Sequence, residues 1–518
     1  MDAFQNRFAD SIIGQVTTTD RMIFKGHLSG FFPQGAFERF LWQERILLKD
    51  FGKFVKGATD ELKAHAEKIA KDAGRPFEYL KRAMTKKTGK SKEDYAREIM
   101  ERDGVKEGLV CVFSTLEPCK SFEVRGNRQT HRLEVVRAKR KCLHFYFYYV
   151  DAEFGFMHVR LQSWFPFEIQ IYINGREWLS RELARKGIGF ERYDNTFTRI
   201  DDLPAAQRIC ERHAHRMWPG VLNALARQVN PWMKRIQNVE FGGYYWVLDQ
   251  CEIASDIMFR DRATLERLLP DLREEALLAF SPEAVMRFLG RKLHGNFKGE
   301  ATTDLKRRPE GWCIKHQMKR NSIKMYDKAS VLRIETTINN PREFKVLRVI
   351  EKDGKRSRRW MPMGKGVANF WRYIRVGTQA NHRYLDALGS VELKGEAVEV
   401  LDDLCRSHTW QGRHIPKLHP VAAQDAQLLE AVAAGEHMIN GFRNADVQAK
   451  LYETPPSSPQ EGKRRCARVS RLIAKLRGHG LVRKVPRSRL YRATPLGVRL
   501  MLATRAFRNV VFPKVLVG

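Results

Sequence analysis

The sequence predicts an α+β chain: a mixed α/β core with a helical insertion, a helical N-terminal arm, and a C-terminal module of helices closed by two strands. Three observations carry this reading. Helical apolar spacing runs from Gly35 to about Arg102, aromatic and β-branched strands fill 108–200 and return at 311–338, and three helices followed by alternating strands occupy Asp425 to Arg505. Length agrees, because 518 residues with 43% hydrophobic content bury more than one core.

Taken in order, residues 1–107 read as a basic helical arm, with Phe37, Phe40, Leu41, Phe51, Phe54 and Val55 in a heptad-like rhythm and a lysine-rich stretch from Lys81 to Lys92. Residues 108–202, the first part of the core, hold the strands CLHFYFYYV, FMHVRLQSW and IQIYI, the helix NGREWLSRELARKG and a further strand. Residues 203–295 read as a helical insertion, with AAQRICERHAHRMW, GYYWVLDQCEIASDIMF and ATLERLLPDLREEALLAF set off by Pro and Gly. Residues 296–350 return to antiparallel strands, GWCIKHQ, NSIKMYDK and VLRIETTI. A basic hairpin, VLRVIEKDGKRSRRWMPM with Asp353-Gly354 at its turn, enters a basic connector over 351–424, and the terminal module takes 425–518.

Charge narrows the function. Against 60 acidic side chains stand 93 lysines and arginines, a net +33. Solubility needs far less, so the expected counterpart is a polyanion, DNA or RNA. No apolar run approaches a membrane span, and MDAFQNRFAD lacks the basic-then-apolar order of a signal peptide, which predicts a cytoplasmic protein without a membrane partner. Eight scattered cysteines, with no CxxC pair, predict buried thiols and no structural zinc. Neither GxxxxGK[ST] nor GxGxxG occurs, so no nucleotide cofactor is expected.

In the third helix of the terminal module, Val469, Leu472, Ile473 and Leu476 share one face, while Arg464, Arg468, Arg471 and Lys475 cover the other and Arg465 sits in the first turn. With Arg483, Lys484, Arg487 and Arg489 on the strand pair, these are the expected contacts to phosphates and base edges. Docking of this face onto the protein's own acidic surface is the alternative. The motif LIAKLRGHGLVRKVPRSRLYRATPLG resembles the winged-helix domains of bacterial transcription regulators and transposases. That resemblance implies a winged-helix fold and DNA contact, and no particular reaction.

Sites that cut or join phosphodiesters commonly hold Mg²⁺ through acids converging from different elements, and three groupings qualify. Asp151 ends the aromatic strand and Asp194 follows the next helix and strand. In this order the region resembles the opening of an RNase H-like nuclease or transposase core, which implies shared metal ligation, and an ordinary hairpin turn, Asp151 followed by Ala-Glu-Phe-Gly, is the alternative. Asp249, Glu252 and Asp256, spaced i, i+3, i+7, fall on one face of a predicted helix, where a metal or an arginine would offset them. The RNase H-like resemblance makes Glu252 or Asp256 the completing acid, for a metal set of Asp151, Asp194 and Glu252. Third, His316, Lys324, Tyr326, Lys328, Arg333 and Glu335 alternate with apolar residues, so several emerge on one sheet face. Tyr326-Asp327-Lys328 and Leu332-Arg333-Ile334-Glu335 resemble strands of rolling-circle replication initiators of plasmids and filamentous phages. This implies a nucleophilic Tyr326 beside Glu335, although the His-hydrophobe-His motif of that family is absent and LHFYF offers only His144. The alternative is a Tyr, Lys and Glu ladder that contacts phosphate without reacting, with Lys315, His316, Lys324 and Lys328 as binding residues.

The leading expectation is an enzyme of a mobile genetic element, a transposase, recombinase or replication initiator, that cuts or transfers DNA strands with Mg²⁺. The alternative is a non-enzymatic DNA- or structured-RNA-binding protein whose aromatic strands stack unpaired bases. Either is compatible with a homo-oligomer.

Overall fold

The computed structural model describes residues 3–33, 35–81, 88–238, 241–290, 301–308, 311–352, 355–389, 401–485 and 488–508, and the contacts divide the chain into two units, 1–391 and 392–518. In the first unit a short helix α1 (Ala3–Arg7) precedes a long strand β1 (Ile12–Leu28). Helices α2 (Ala36–Gln43) and α3 (Phe51–Asp72) lead through β2 (Phe77–Tyr79) to α4 (Lys92–Arg102). Four strands follow, β3 (Gly108–Asn127), β4 (Arg132–Asp151), β5 (Gly155–Gln162) and β6 (Ile169–Asn174), then α5 (Gly175–Arg185) and the small hairpin β7 (Phe190–Tyr193) and β8 (Thr196–Ile200). Helices α6 (Leu203–Ala214), α7 (Trp218–Val229) and α8 (Trp232–Asn238) separate these from β9 (Tyr244–Phe259). After α9 (Arg262–Glu274) and α10 (Pro282–Phe288) come β10 (Ala301–Arg308), β11 (Gly311–Met318), β12 (Asn321–Lys328) and β13 (Val331–Ile338). The hairpin β14 (Lys345–Lys352) and β15 (Lys355–Pro362) and the helix α11 (Phe370–Leu388) complete the unit.

One sheet gathers strands from all of these segments, in the order β10-β11-β12-β13-β9-β1-β6-β5-β4-β3-β2, antiparallel except where β2 joins β3. The α+β class is as the sequence predicts, but two expectations are corrected. The N-terminal region is no arm, because β1 is the strand that joins the two halves of the sheet, pairing with β6 on one side and β9 on the other. The stretch GYYWVLDQCEIASDIMF is the strand β9 and no helix. Its second half is buried on both faces, which erases the period of two that would have marked a strand. The segment expected to be a connector contributes α11, a core helix, and the strands 311–338 form the antiparallel set that was predicted.

Helices clothe the sheet. Phe31, Phe37, Phe40, Phe122 and Phe165 interlock at ring-centroid distances of 4.3–6.2 Å, fastening α2 to the β3 and β5 side. The aromatic strand HFYFYYV is interior: Phe145, Tyr146, Phe147 and Tyr148 are all at most 8% exposed, with the tyrosines packed near Ala96 and Ile99 of α4. None of these four rings presents a face to solvent on which a base could stack. On the other half, α11 packs on β9 and β13 through a buried amide. Asn381 Nδ2 donates to the Ile253 carbonyl (3.0 Å) and Ser255 Oγ (3.1 Å), and its Oδ1 accepts from Thr336 (2.7 Å).

The second unit has its own core, which includes Leu404, Leu418, Leu429, Val469, Ile473, Leu476 and Val482. Short strands β16 (His408–Trp410) and β17 (Arg413–Ile415) precede α12 (Ala423–Val432), α13 (Gly435–Asn440), α14 (Asn444–Leu451) and α15 (Pro459–Gly478). The pair β18 (Val482–Lys484) and β19 (Tyr491–Ala493) follows, then α16 (Pro495–Ala506). The helices and strand pair expected from Asp425 onward are therefore present, with α13 inserted and α16 appended. Gly441 is required where the chain turns into α14: its φ is +77°, and a Cβ there would lie 2.6 Å from the Tyr491 carbonyl oxygen.

Asn381→Ala removes all three amide bonds and leaves buried polar partners unpaired, so it should lower the unfolding free energy of the first unit by about 2–4 kcal/mol. Urea titration checks this, and a midpoint unchanged from the native protein contradicts it.

Candidate functional site

Strand alternation places Glu252 on β9 and Glu335 on β13 on one face of the sheet, opposite the face covered by α11. Thr337 stands across from Glu252 and Lys324 of β12 across from Glu335. A third acid arrives through an irregularity. The pairing of β1 with β9 steps from Thr19 opposite Ile253 to Met22 opposite Cys251, so Asp20 and Arg21 both face the single residue Glu252. This is a β-bulge, a device that re-aims side chains. Asp20, Glu252 and Glu335 consequently offer oxygens that all lie within 4.8 Å of one another.

Arg333 binds this cluster to its support. Its Nε donates to Asp256 Oδ1 at 2.7 Å, its Nη1 to Asp20 Oδ2 at 3.0 Å, and its Nη2 to the carbonyl of Asn195 in the turn between β7 and β8. Arg176 approaches Asp256 from the first turn of α5 and donates to Oδ2 at 2.7 Å. That helix starts hard against β1: a Cβ on Gly175 would lie 2.2 Å from Thr19 Oγ1. Asn174 caps it by accepting from the amides of Arg176 and Glu177. Asn195 reaches back to donate to Asp20 Oδ2 at 2.8 Å. Lys324 completes the set, with Nζ 2.6 Å from Glu335 and 3.6 Å from Glu252.

Four carboxylates (Asp20, Glu252, Asp256, Glu335) are thus ion-paired with three cations (Arg176, Lys324, Arg333), and Arg21, the other residue of the bulge, brings a fourth positive charge to bear on Glu252. The compensation is unevenly shared. Burial pushes Asp256 and Glu335 up, but Arg176 and Arg333 on the first, and Lys324 and Arg333 on the second, outweigh it and hold both below the usual carboxylate range. Burial prevails at Asp20, which Arg333 only partly relieves. Burial and the neighbouring charge of Glu335 lift Glu252 to about 7. Glu252 also lines a polar pocket of about 350 Å³ with Lys315, Lys319, Arg320, Lys324 and Ser322, the concavity that leads to the cluster.

Several expected residues lie elsewhere or are otherwise engaged. Asp151 closes its own turn, accepting from the amides of Glu153 (2.8 Å) and Phe154 (2.9 Å), and does not belong to the acid cluster. Asp194 pairs with Lys328 at 2.6 Å, which fixes the β7 and β8 turn and takes Lys328 out of play as a phosphate contact. Of the expected metal set Asp151, Asp194 and Glu252, only Glu252 is in the converging group. Asp256 took the arginine alternative. His316 is fully buried on the α11 face, bonded to the Tyr384 hydroxyl (3.0 Å) and Thr303 (2.9 Å), and burial lowers it to about 4, so it is a neutral core residue. Tyr326 stands on the acid face with Lys324 Nζ 5.9 Å from its ring centroid, and burial together with Glu335 raises the phenol far above its usual range. Asp20 and Arg176 had not been anticipated. The signal for Asp20 was present: a lone acid inside the strand-like run IIGQVTTTDRMIF.

In the second unit Arg464, Arg468 and Arg471 are exposed along α15, and Arg483, Lys484 and Arg489 are exposed around the strand pair. Two expected contacts are used internally. Arg465 lies over the Tyr452 ring at 4.5 Å and pairs with Glu461, and Lys475 is bound by both oxygens of Asp425 at 2.8 and 3.0 Å. Arg487 lies outside the described residues.

Because the folded pKa of Glu252 lies above its ordinary 4.5, the folded state holds a proton there that the unfolded chain has lost. Its contribution to stability therefore falls as pH rises from about 4.5 to 7 and stays reduced above that, by roughly 2–4 kcal/mol. Glu252→Gln should match the native melting temperature near pH 4.5 and exceed it increasingly toward pH 8 in metal-free buffer, and a pH-independent difference contradicts the assignment. Compared with known proteins, the chain matches no family model, no curated protein and no solved structure.

Proposed function

We propose that this chain binds nucleic acid and cuts or joins phosphodiester bonds with a divalent cation, Mg²⁺, held by Asp20, Glu252 and Glu335. The observation that carries the reading is the convergence of three acids from three adjacent strands, with Glu252 lining a pocket that it shares with Lys315, Lys319 and Arg320. An all-oxygen donor set suits a hard cation, which would supply Lewis-acid polarisation of a phosphoryl oxygen. The lysines and arginine of the pocket would receive the phosphate backbone. Arg333 and Arg176 act as positioning residues, since they hold Asp20 and Asp256 and do not line the pocket. Such an activity suits the strand-cleaving or strand-transferring enzymes of mobile genetic elements, with the exposed arginines of α15 gripping duplex DNA.

One observation favours a second reading. Lys324 already bonds two of the three acids, so the cluster could serve as an ionic staple in a protein that binds nucleic acid without cutting it.

Incubation of the protein with labelled single- and double-stranded DNA and RNA separates the two. The enzyme gives products with Mg²⁺ that EDTA abolishes, and Glu252→Gln, Glu335→Gln or Asp20→Asn lowers the rate at least about 100-fold while binding persists. A covalent adduct lost in Tyr326→Phe would move the nucleophile to Tyr326, and no product on any strand leaves the staple. For the terminal unit, Arg464→Ala, Arg468→Ala and Arg471→Ala together should weaken duplex binding and reduce the log-log salt slope by about 2–3. Lys475→Ala should lower stability and leave that slope unchanged.

A further inference from the structure

Among the described residues the hairpin β14 and β15 belongs to no larger sheet, and its two strands pair with each other. Its root is firmly held. Phe344 and Met363 are buried and joined by a backbone bond of 2.8 Å, Val346 is 1% exposed, and Arg348 Nη2 donates to Asn369 Oδ1 at 3.0 Å. Farther out the register sets Leu347 across from Trp360 and Val349 across from Arg358, all on one face. That face carries 65% exposure at Trp360, 62% at Val349 and 39% at Leu347. The ribbon is also strongly cationic, since residues 345–362 hold seven lysines and arginines against two acids. Of those acids, Glu351 is already paired with Arg356.

An isolated ribbon with an exposed tryptophan on a cationic frame gains nothing from water, and its composition specifies a ligand that is anionic and flat-faced at once. The position of the root is equally specific. Glu343, two residues before β14, bonds Lys319 Nζ at 3.2 Å, and Lys319 lines the pocket beside Glu252. The ribbon therefore leaves the sheet at the mouth of the acid pocket.

We propose that this ribbon is an arm that captures single-stranded nucleic acid, DNA or RNA, by stacking an unpaired base on Trp360 while Arg358, on the same face, holds a flanking phosphate. Paired bases hide their faces within the duplex, so the aromatic part of the contact selects single strands. The proposal rests on the reading that the chain binds nucleic acid, and goes beyond it by assigning a separate element to the unpaired strand.

The test measures full-length protein in EDTA against labelled oligodeoxyuridylate, oligouridylate and a DNA duplex. Trp360→Ala should weaken binding of a single strand roughly tenfold, Trp360→Phe should recover most of that loss, and duplex affinity should change by less than about twofold. The tighter of the two oligonucleotides identifies the sugar preferred. Equal losses on duplex and single strand, or single-strand binding untouched by Trp360→Ala, overturn the proposal. So does a change in sedimentation state with unaltered binding, which would make the ribbon a protein interface. A chain that binds no nucleic acid at all would bring down the proposed function as well, whereas intact binding insensitive to Trp360 brings down the arm alone.

Discussion

The guanidinium of Arg333 touches a carboxylate on β1, a carboxylate on β9 and a carbonyl in the β7 and β8 turn at the same time, from a position 1% exposed. Removing that many charges from water is costly, and only a geometry that satisfies nearly every donor compensates. The centre of the sheet meets this demand with bidentate pairing to Asp256, a second arginine on the same carboxylate, and a backbone amide from Phe197. The register of β1, β9 and β13 and the seating of α5 and the small hairpin are tied to this one contact set, because a shift of one residue in any strand would separate the charges.

The same network keeps Asp20 and Glu335 in place and leaves Glu252 as the member whose charge is least compensated. The arginines stabilise the acids they touch, and the lysine is shared, so the weakest compensation falls on Glu252, the carboxylate that faces the pocket. Fixed cations on one side and an under-compensated carboxylate on the other give the pocket a dipolar lining, which can orient an anion that itself carries a cation.

How much of this was legible in the sequence depended on whether local pattern and tertiary burial agreed. The antiparallel set 311–338 showed its alternation because one face is polar and the other apolar, and Glu335, Lys324 and Tyr326 were picked out on that ground. Glu252 was picked for the wrong reason. Its spacing to Asp256 was read on a helix, yet on a strand the same even spacing also puts the two on one face, so the residue survived the error in its element. Asp20 could not be placed by pattern, since its proximity to Glu252 comes from a bulge between strands more than 200 residues apart in the chain. Arg465 and Lys475 looked free because their acidic partners, Glu461 and Asp425, were not assigned to them, and pairing across a fold carries no local mark.

The central place of β1 also bears on how the molecule is made. Its partners are β6, about 150 residues downstream, and β9, more than 220 residues downstream. During synthesis the strands β3 to β6 can pair among themselves as they emerge, while a strand of 17 residues waits beside them with one edge open until β9 arrives. Closing loops of that length costs little extra free energy, but the long interval exposes a strand edge to wrong pairings. The buried acid at Asp20 and the run of threonines before it give β1 a polar interior that matches few other strands, so the residues that assemble the site also protect the strand while it is still alone.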